Sequence, residues 1–165
     1  MTDTKKKYMM TTLIKDFVVI LCAIFIFQFV LGVKIQSGNN MFPAVKDGDL
    51  VVYFRLDDPI RTETVIYRAK NKDMVGRVVA GPGDIVNISE TGELSVNGGV
   101  VAEEVFYATD LPDNSQLVYP YTVPSGSYFI LNDFRSDISD SRSIGGVPKK
   151  DVKGTAIFIV RRRGI

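Results

Sequence analysis

The sequence predicts a mostly-β domain preceded by one N-terminal transmembrane helix. Residues 17–33 form an apolar run whose only polar interruption is Gln28. After Lys34 the chain changes to short segments rich in β-branched and aromatic residues, separated by turns that contain Gly, Pro, Asn or Asp. No helical pattern of useful length and no internal repeat follow residue 35. One folded domain is the natural expectation for a chain of 165 residues.

The apolar run is long enough for a membrane anchor. At about 1.5 Å per residue, a helix over residues 17–33 covers about 25 Å, slightly less than a bilayer core of about 30 Å. Leu13 and Ile14 extend the segment if the lysine that follows them reaches the headgroups. We therefore predict an anchor over residues 13–33. A cleaved signal peptide is the alternative, but the run is longer than a usual signal-peptide core and no A-x-A cleavage site follows it.

Basic residues are concentrated before the apolar run, and Lys34 alone follows it closely. The preceding ones are Lys5, Lys6, Lys7 and Lys15. By the positive-inside rule, residues 1–12 are predicted to be cytoplasmic. Residues 34–165 then form the extracellular domain of a single-pass protein of the cell membrane.

The outer domain is read as a series of short strands. The predicted strands cover residues 50–54, 64–67, 76–80, 85–88, 128–131 and 156–160. Residues 94–98 alternate in polarity and end in Asn97-Gly98, which predicts one arm of a β-hairpin. Residues 89–123 are predicted to form a small insert, with a loop around residues 111–114 that carries Pro and Asp.

The composition excludes several classes of function. The chain has no histidine, which removes His-based general-base catalysis and ordinary zinc sites. Its one cysteine, Cys22, lies inside the apolar run, so no disulfide can form within the chain. With 20 basic and 19 acidic residues, no strong field favours nucleic acid as a partner. We expect no metal and no small-molecule cofactor.

Three ordered motifs carry a resemblance to a known family. The first motif, residues 37–43, reads Ser-Gly-Asn-Asn-Met-Phe-Pro. The second, residues 75–84, begins with Val-Gly-Arg and ends with Pro-Gly-Asp. The third, residues 131–145, begins with Leu-Asn-Asp and ends with Ser-Ile-Gly. At this spacing they resemble the G-x-S-M-x-P, K-R-V-x-x-x-P-G-D and G-D-N-R-x-x-S-x-D-S-R-x-x-G motifs of type I signal peptidases. The resemblance covers nearly the whole chain. It implies the β-sheet catalytic-core fold of signal peptidases, with a small β insert.

The two reactive positions of that family differ in this chain. Asn40 stands where the resemblance places the serine nucleophile, and Gly76 stands where it places the lysine general base. An amide is not a useful nucleophile, and glycine offers no base. The expectation is therefore that the chain is not an enzyme and has no catalytic residues. By residue type, the candidate replacements are Ser37, Ser141, Ser143, Lys70 and Lys72. A turn between Lys72 and Gly76 is expected to keep that lysine out of the pocket, and the resemblance places Ser141 in a structural motif.

The family arrangement also predicts a peptide-binding cleft between two segments of the chain. Its predicted lining is Gly38, Asn39, Asn40, Met41 and Phe42 on one side, and Val75, Gly76 and Val78 on the other. An extended peptide would take backbone hydrogen bonds from both sides. The Asn40 amide is expected to bond to that peptide, Met41 and Phe42 to supply apolar contacts, and Gly76 to leave open space.

A box of charged and polar residues follows the last motif. It contains Asp133, Asp140, Ser141 and Arg142. In the family this box braces the site, so the resemblance favours a buried structural network over a binding site.

A closer resemblance is to the signal-peptidase-like accessory proteins of sortase-dependent pilus assembly in Gram-positive bacteria. Residues 128–133 and the C-terminal run 161–165 carry it. It implies an accessory or chaperone role at the cell surface in pilin polymerisation, with pilin subunits, a pilus sortase or both as partners. Two alternatives stay open, namely a signal peptidase with atypical catalytic residues, and a scaffold that docks on a sortase or a signal peptidase.

Overall fold

The computed structural model describes residues 3–101, 108–111 and 117–162. An exposed apolar helix, α1 (Asp3–Phe25), leads into a π-helical turn (Ile26–Val30). By length and composition, residues 5–30 are able to cross a membrane. The anchor predicted over residues 13–33 extends too far, because residues 31–33 belong to the first strand of the sheet.

The outer part of the chain is mostly β, as the sequence predicts. In the described part of the chain, seven antiparallel strands form the larger sheet, namely β1 (Leu31–Ile35), β2 (Leu50–Phe54), β3 (Thr64–Ala69), β4 (Lys72–Ala80), β9 (Ser127–Leu131), β10 (Val147–Pro148) and β11 (Val152–Val160). Their order in the sheet is β1-β2-β11-β3-β4-β9-β10. Each of the six predicted strands coincides with, or lies within, an observed strand.

Four shorter strands form a second antiparallel sheet, in the order β7-β6-β5-β8. They are β5 (Ile85–Ile88), β6 (Leu94–Val96), β7 (Gly99–Val100) and β8 (Tyr121–Thr122). The predicted hairpin is confirmed, because β6 pairs with β7 across a turn in which Asn97 and Gly98 both have positive φ. Parts of the predicted insert, residues 102–107 and 112–116, lie outside the described residues, and they include most of the predicted loop at 111–114.

β1 follows the helical segment directly, and its residue Gly32 packs tightly against β2. Gly32 pairs with Tyr53 of β2, and a Cβ atom at position 32 would lie 2.1 Å from Tyr53 Cζ. Only glycine leaves room for that aromatic ring. The apolar composition of residues 31–33 therefore reflects a strand against β2 rather than a continuation of the anchor.

A tight hairpin and a buried apolar cluster position the segments that form the site. Lys70 and Asn71 both have positive φ and form a two-residue turn between β3 and β4. One buried cluster joins the loop after β1 to the centre of the sheet through Met41, Val45 and Val75. Beyond β9, the short helix α2 (Ser141–Ile144) and a 3₁₀ turn (Lys149–Asp151) complete the described structure.

Candidate functional site

The loop between β1 and β2 holds Asn40 against the sheet. Met41 and Val45 are fully buried, so the loop is anchored by apolar packing on either side of its turn. The Asn40 carbonyl accepts a hydrogen bond from Phe134 N at 2.9 Å. The loop is thereby fixed to the segment after β9 as well as to β4.

The Asn40 side chain joins three segments of the chain. Its Oδ1 accepts from Gln36 Nε2 at 2.6 Å, and its Nδ2 donates to Val75 O at 3.0 Å and to Asn132 Oδ1 at 2.8 Å. An amide nitrogen has two protons, and both are used. The sequence predicts that this amide bonds to a bound peptide. In the structure both of its N–H donors already bond within the protein.

Asn40 and Asn132, two residues that differ from the family motifs, are hydrogen-bonded to each other. Asn132 stands where the family motif has glycine, and it accepts the Asn40 hydrogen bond while donating its own Nδ2 to Asp137 O at 3.0 Å. Asn132 is fully buried. The buried amide at position 132 thus supplies the acceptor that the amide at position 40 needs.

Gly76 does not leave open space, and that expectation is wrong. A Cβ atom at this position would lie 2.5 Å from Ile130 Cγ2 and 2.9 Å from Tyr67 Cε1. Tyr67 and Ile130 are fully buried and fill the volume where a longer side chain would start. Burial raises the pKa of the Tyr67 hydroxyl well above its ordinary value, and the charges of Asp140 and Asp137 raise it further. That hydroxyl therefore stays protonated at neutral pH and does not serve as a general base.

The charged box after β9 is buried and internally bonded. Arg142 is fully buried and forms a bidentate pair with Asp140, at 2.9 Å from Nε to Oδ1 and 2.7 Å from Nη2 to Oδ2. Asp133 pairs with Arg77, the residue after Gly76, at 2.7 Å. Ser141 Oγ accepts from Ile130 N at 2.9 Å. These contacts place the box beneath β4 and β9, and its predicted supporting role stays a prediction.

The predicted cleft residues do not all reach one surface. Met41, Val75, Gly76 and Val78 are buried, whereas Gly38 and Asn39 are exposed. Phe42 is 38% exposed, and the Lys46 ammonium lies 5.5 Å from its ring centroid. Asn40 is the member that both joins the two sides and reaches a surface depression. A binding role for the other seven stays a prediction.

That depression, called the outer groove below, has a volume of about 480 Å³. β1 and the loop after it contribute Lys34, Ser37 and Asn40 to its lining, and the β3–β4 hairpin contributes Arg68, Asn71, Lys72, Asp73 and Met74. The turn expected between Lys72 and Gly76 is not there, because both residues lie on β4 and the turn comes earlier, at Lys70-Asn71. Lys72 lines the outer groove, whereas Gly76 does not. Among the described residues, no cluster of Asp, Glu and Cys is arranged to hold a metal ion.

Comparisons with known proteins decide the family. The family model described as "Signal peptidase, peptidase S26" matches residues 9–161. This chain belongs to the signal peptidase S26 family. The sequence resemblance to type I signal peptidases is thereby confirmed at the level of the family, whereas the pilus-assembly subtype is a finer assignment.

Several members of this family align with most of the chain. Signal peptidase I of Bacillus amyloliquefaciens is 27% identical over 154 residues, covering 86% of this chain and 82% of the relative. Signal peptidase I of Bacillus licheniformis is 28% identical over 173 residues, covering 95% and 91%. Signal peptidase IB of Staphylococcus aureus strain COL is 27% identical over 171 residues, covering 88% of each chain. A crystal structure of a signal peptidase I from Enterococcus faecalis V583 covers 60% of this chain and 97% of its own, with 24% identity and a TM-score of 0.46.

These relatives contradict the expectation that the chain is not an enzyme. They are named signal peptidases and align with 86–95% of the chain. The expectation rested on positions 40 and 76 alone. Away from those two positions, the outer groove contains the hydroxyl of Ser37 and the amines of Lys34 and Lys72. The sequence alone does not show that these three groups share one groove.

Replacing Asn40 with alanine should destabilise the outer domain of this signal peptidase family member. The change removes three hydrogen bonds and leaves the buried Asn132 Oδ1 without the Asn40 donor, which costs about 1–3 kcal/mol in free energy of unfolding. Chemical denaturation of the full-length chain in detergent, followed by circular dichroism, measures the loss. Asn87→Ala, at an exposed strand position, is the matched control and should change stability by less than about 0.5 kcal/mol. Equal stability of the two variants would contradict the bonding scheme.

Proposed function

We propose that the outer groove receives an extended segment of an exported protein, bound as an additional strand beside β4. The observation that carries the proposal is an open strand edge. β4 runs from Lys72 to Ala80, but β9 pairs only with its second half, from Arg77 onward. Among the described strands, none pairs with the first half of β4 on that side.

The backbone of β4 is suited to such pairing. Val75 O points toward the groove side, because it accepts the hydrogen bond of Asn40 Nδ2. Backbone groups of a strand alternate between its two edges, so the N–H and C=O of Asp73 point the same way. An extended peptide gains main-chain hydrogen bonds at an edge of this kind and selectivity from the side chains around it. Asn40 marks the inner end of that edge.

The position of the groove fits a substrate that emerges from the membrane. α1 and its π-helical turn lead directly into β1, which contains Lys34 of the groove wall. The lysines before the apolar run favour a cytoplasmic N-terminus. The proposed arrangement is a single-pass membrane protein with residues 1–12 in the cytoplasm, one anchor, and the β domain with its insert outside the cell. The groove then lies near the extracellular face of the cell membrane.

The proposed occupant is a pilin subunit, and the proposed role is that of an accessory protein or chaperone in sortase-mediated pilin polymerisation at the surface of a Gram-positive cell. The support is the resemblance of residues 128–133 and 161–165 to accessory proteins of that process. An open edge near the membrane would hold a pilin segment extended before its transfer to the sortase.

Site-specific crosslinking tests the occupant. A photoreactive residue at position 71, on the groove, is compared with one at position 118, on the second-sheet side, where Val118 is 82% exposed. Both full-length variants are expressed with a pilin and its sortase in a pilus-forming cell. Crosslinking of the pilin from position 71 and not from position 118 is the expected result. A sortase or signal peptidase captured from position 118 alone would support the scaffold alternative and contradict the pilin-binding groove.

Peptide cleavage is a second candidate function, favoured by the names of the relatives and by the groups on the groove. Ser37 Oγ would attack the scissile carbonyl while the amine of Lys34 or Lys72 accepts the hydroxyl proton. The amine would return that proton to the departing amino group, and water would hydrolyse the resulting ester. This assignment uses a serine and a lysine that differ from the family positions.

A cleavage assay with a signal-peptide-bearing precursor tests this candidate. The full-length chain in detergent is compared with Ser37→Ala and Lys72→Ala, and with Ser136→Ala as a control at an exposed serine off the groove. Loss of product in the Ser37 variant, with normal cleavage by the control, would support the assignment. Unchanged cleavage by Ser37→Ala, or no cleavage by the unaltered chain, would overturn it.

A further inference from the structure

The outer groove carries an excess of positive charge. Lys34, Arg68 and Lys72 line it, against the single carboxylate of Asp73. That carboxylate is already paired, because it accepts from Arg68 Nε at 3.0 Å and from Lys153 Nζ at 2.6 Å. Burial alone would raise the pKa of Asp73, but the hydrogen bonds from Lys153 and Arg68 outweigh burial and hold that pKa below its ordinary value.

In the described part of the chain, neither lysine of the groove forms an ion pair with an acidic side chain. Lys34 lies on β1 and Lys72 at the start of β4 next to the hairpin turn, so the two cations come from separate segments. A peptide bound in the groove would lie near both of them.

We infer that the segment bound in the outer groove carries acidic side chains, whose carboxylates pair with Lys34 and Lys72. This inference rests on the proposed function, because it names the chemistry of the segment that the groove receives. Side chains of a strand alternate between its two faces, so acidic residues at alternate positions of the segment would reach the lysines while its backbone pairs with β4. Lys34 and Lys72 are then the residues that set specificity.

An anionic lipid headgroup would also attract these lysines, but it fits the groove less well. A headgroup has no backbone to pair with the open edge at Asp73, whereas a peptide has one. An acidic peptide therefore suits both the lysines and the open edge. Each ion pair at a solvent-exposed position strengthens binding by up to about fivefold, and salt weakens it.

Peptide binding with matched charge variants tests the inference. The probes are short synthetic peptides rich in Val and Thr that carry Glu, Gln or Lys at the same alternate positions. Fluorescence anisotropy measures their affinity for the full-length chain in a neutral detergent. The Glu peptide should bind more tightly than the Gln peptide, by about two- to thirtyfold with two pairs, and the difference should shrink at high salt.

Charge reversal at one lysine supplies the decisive comparison. Lys72→Glu should lose the preference for the Glu peptide, because repulsion from the new carboxylate offsets the attraction to Lys34, whereas Lys150→Glu, at an exposed lysine outside the groove, should behave as the unaltered chain. Equal binding of the Glu and Gln peptides would overturn the inference and leave the proposed function standing. Failure of every peptide to bind would contradict the proposed function itself. Binding to vesicles of anionic lipid that depends on Lys72, without any preference among the peptides, would assign the charge to lipid and overturn the inference.

Discussion

Replacing Asp140 with alanine is expected to lower the free energy of unfolding by about 3–5 kcal/mol. Asp140 and Arg142 are both fully buried, and the two oxygens of Asp140 accept from Arg142 Nε and Nη2. Without the carboxylate, the buried Arg142 guanidinium loses its bidentate partner. Asp140 Oδ2 also accepts from Asn132 N at 2.9 Å, so the segment that carries the Asn40 partner loses a hydrogen bond as well. Chemical denaturation of the full-length chain in detergent measures the change.

The matched control is Asp58→Ala. Asp58 also forms an ion pair, with Lys149 at 2.6 Å, but both side chains are more than half exposed. Water screens such a pair, and its removal should cost less than about 1 kcal/mol. Similar losses in the Asp58 and Asp140 variants would contradict the view that burial gives the box its stabilising effect.

The strands could be predicted from the sequence because their signals are local. Alternation, β-branched residues and turn dipeptides such as Asn97-Gly98 act over a few residues, and each predicted strand appears in the fold. The end of the anchor could not be predicted in this way. The apolar residues 31–33 are compatible both with a membrane helix and with a buried strand, so their composition does not decide between the two. The close packing of Gly32 against Tyr53 assigns them to the sheet.

The site was less predictable because it depends on contacts between distant segments. Asn40 and Asn132 are separated by 92 residues, so no local pattern reveals that each amide satisfies the other. The expectation that the chain is not an enzyme is contradicted by relatives that are named signal peptidases. It considered positions 40 and 76, and sequence alone does not show that the hairpin turn before Lys72 and the path of β1 bring a serine and two lysines to the same groove. A signal for Lys72 was present, since Lys70-Asn71 between two β-rich segments is compatible with a two-residue turn.

Gly76 is expected to tolerate no side chain. Alanine at this position should lower the free energy of unfolding by about 1–3 kcal/mol, and lysine by at least as much, because the new Cβ would lie 2.5 Å from Ile130 Cγ2 and 2.9 Å from Tyr67 Cε1. Both neighbours are fully buried in a packed cluster and have little room to move. Chemical denaturation followed by circular dichroism measures the loss, with Gly99→Ala as the control.

The Gly99 control isolates the steric cause, since a Cβ atom there meets its nearest neighbour, Val96 O, at an ordinary 3.6 Å. Its stability should change by less than about 0.5 kcal/mol. A double-mutant cycle with Ile130→Ala then tests the specific contact. Removing Ile130 Cγ2 makes room for the new Cβ, so the combined loss of Gly76→Ala and Ile130→Ala should be smaller than the sum of the single losses, by about 0.5–3 kcal/mol. Strictly additive losses would mean that Ile130 is not what makes glycine necessary at position 76, and the account of the filled space beside β4 would fail.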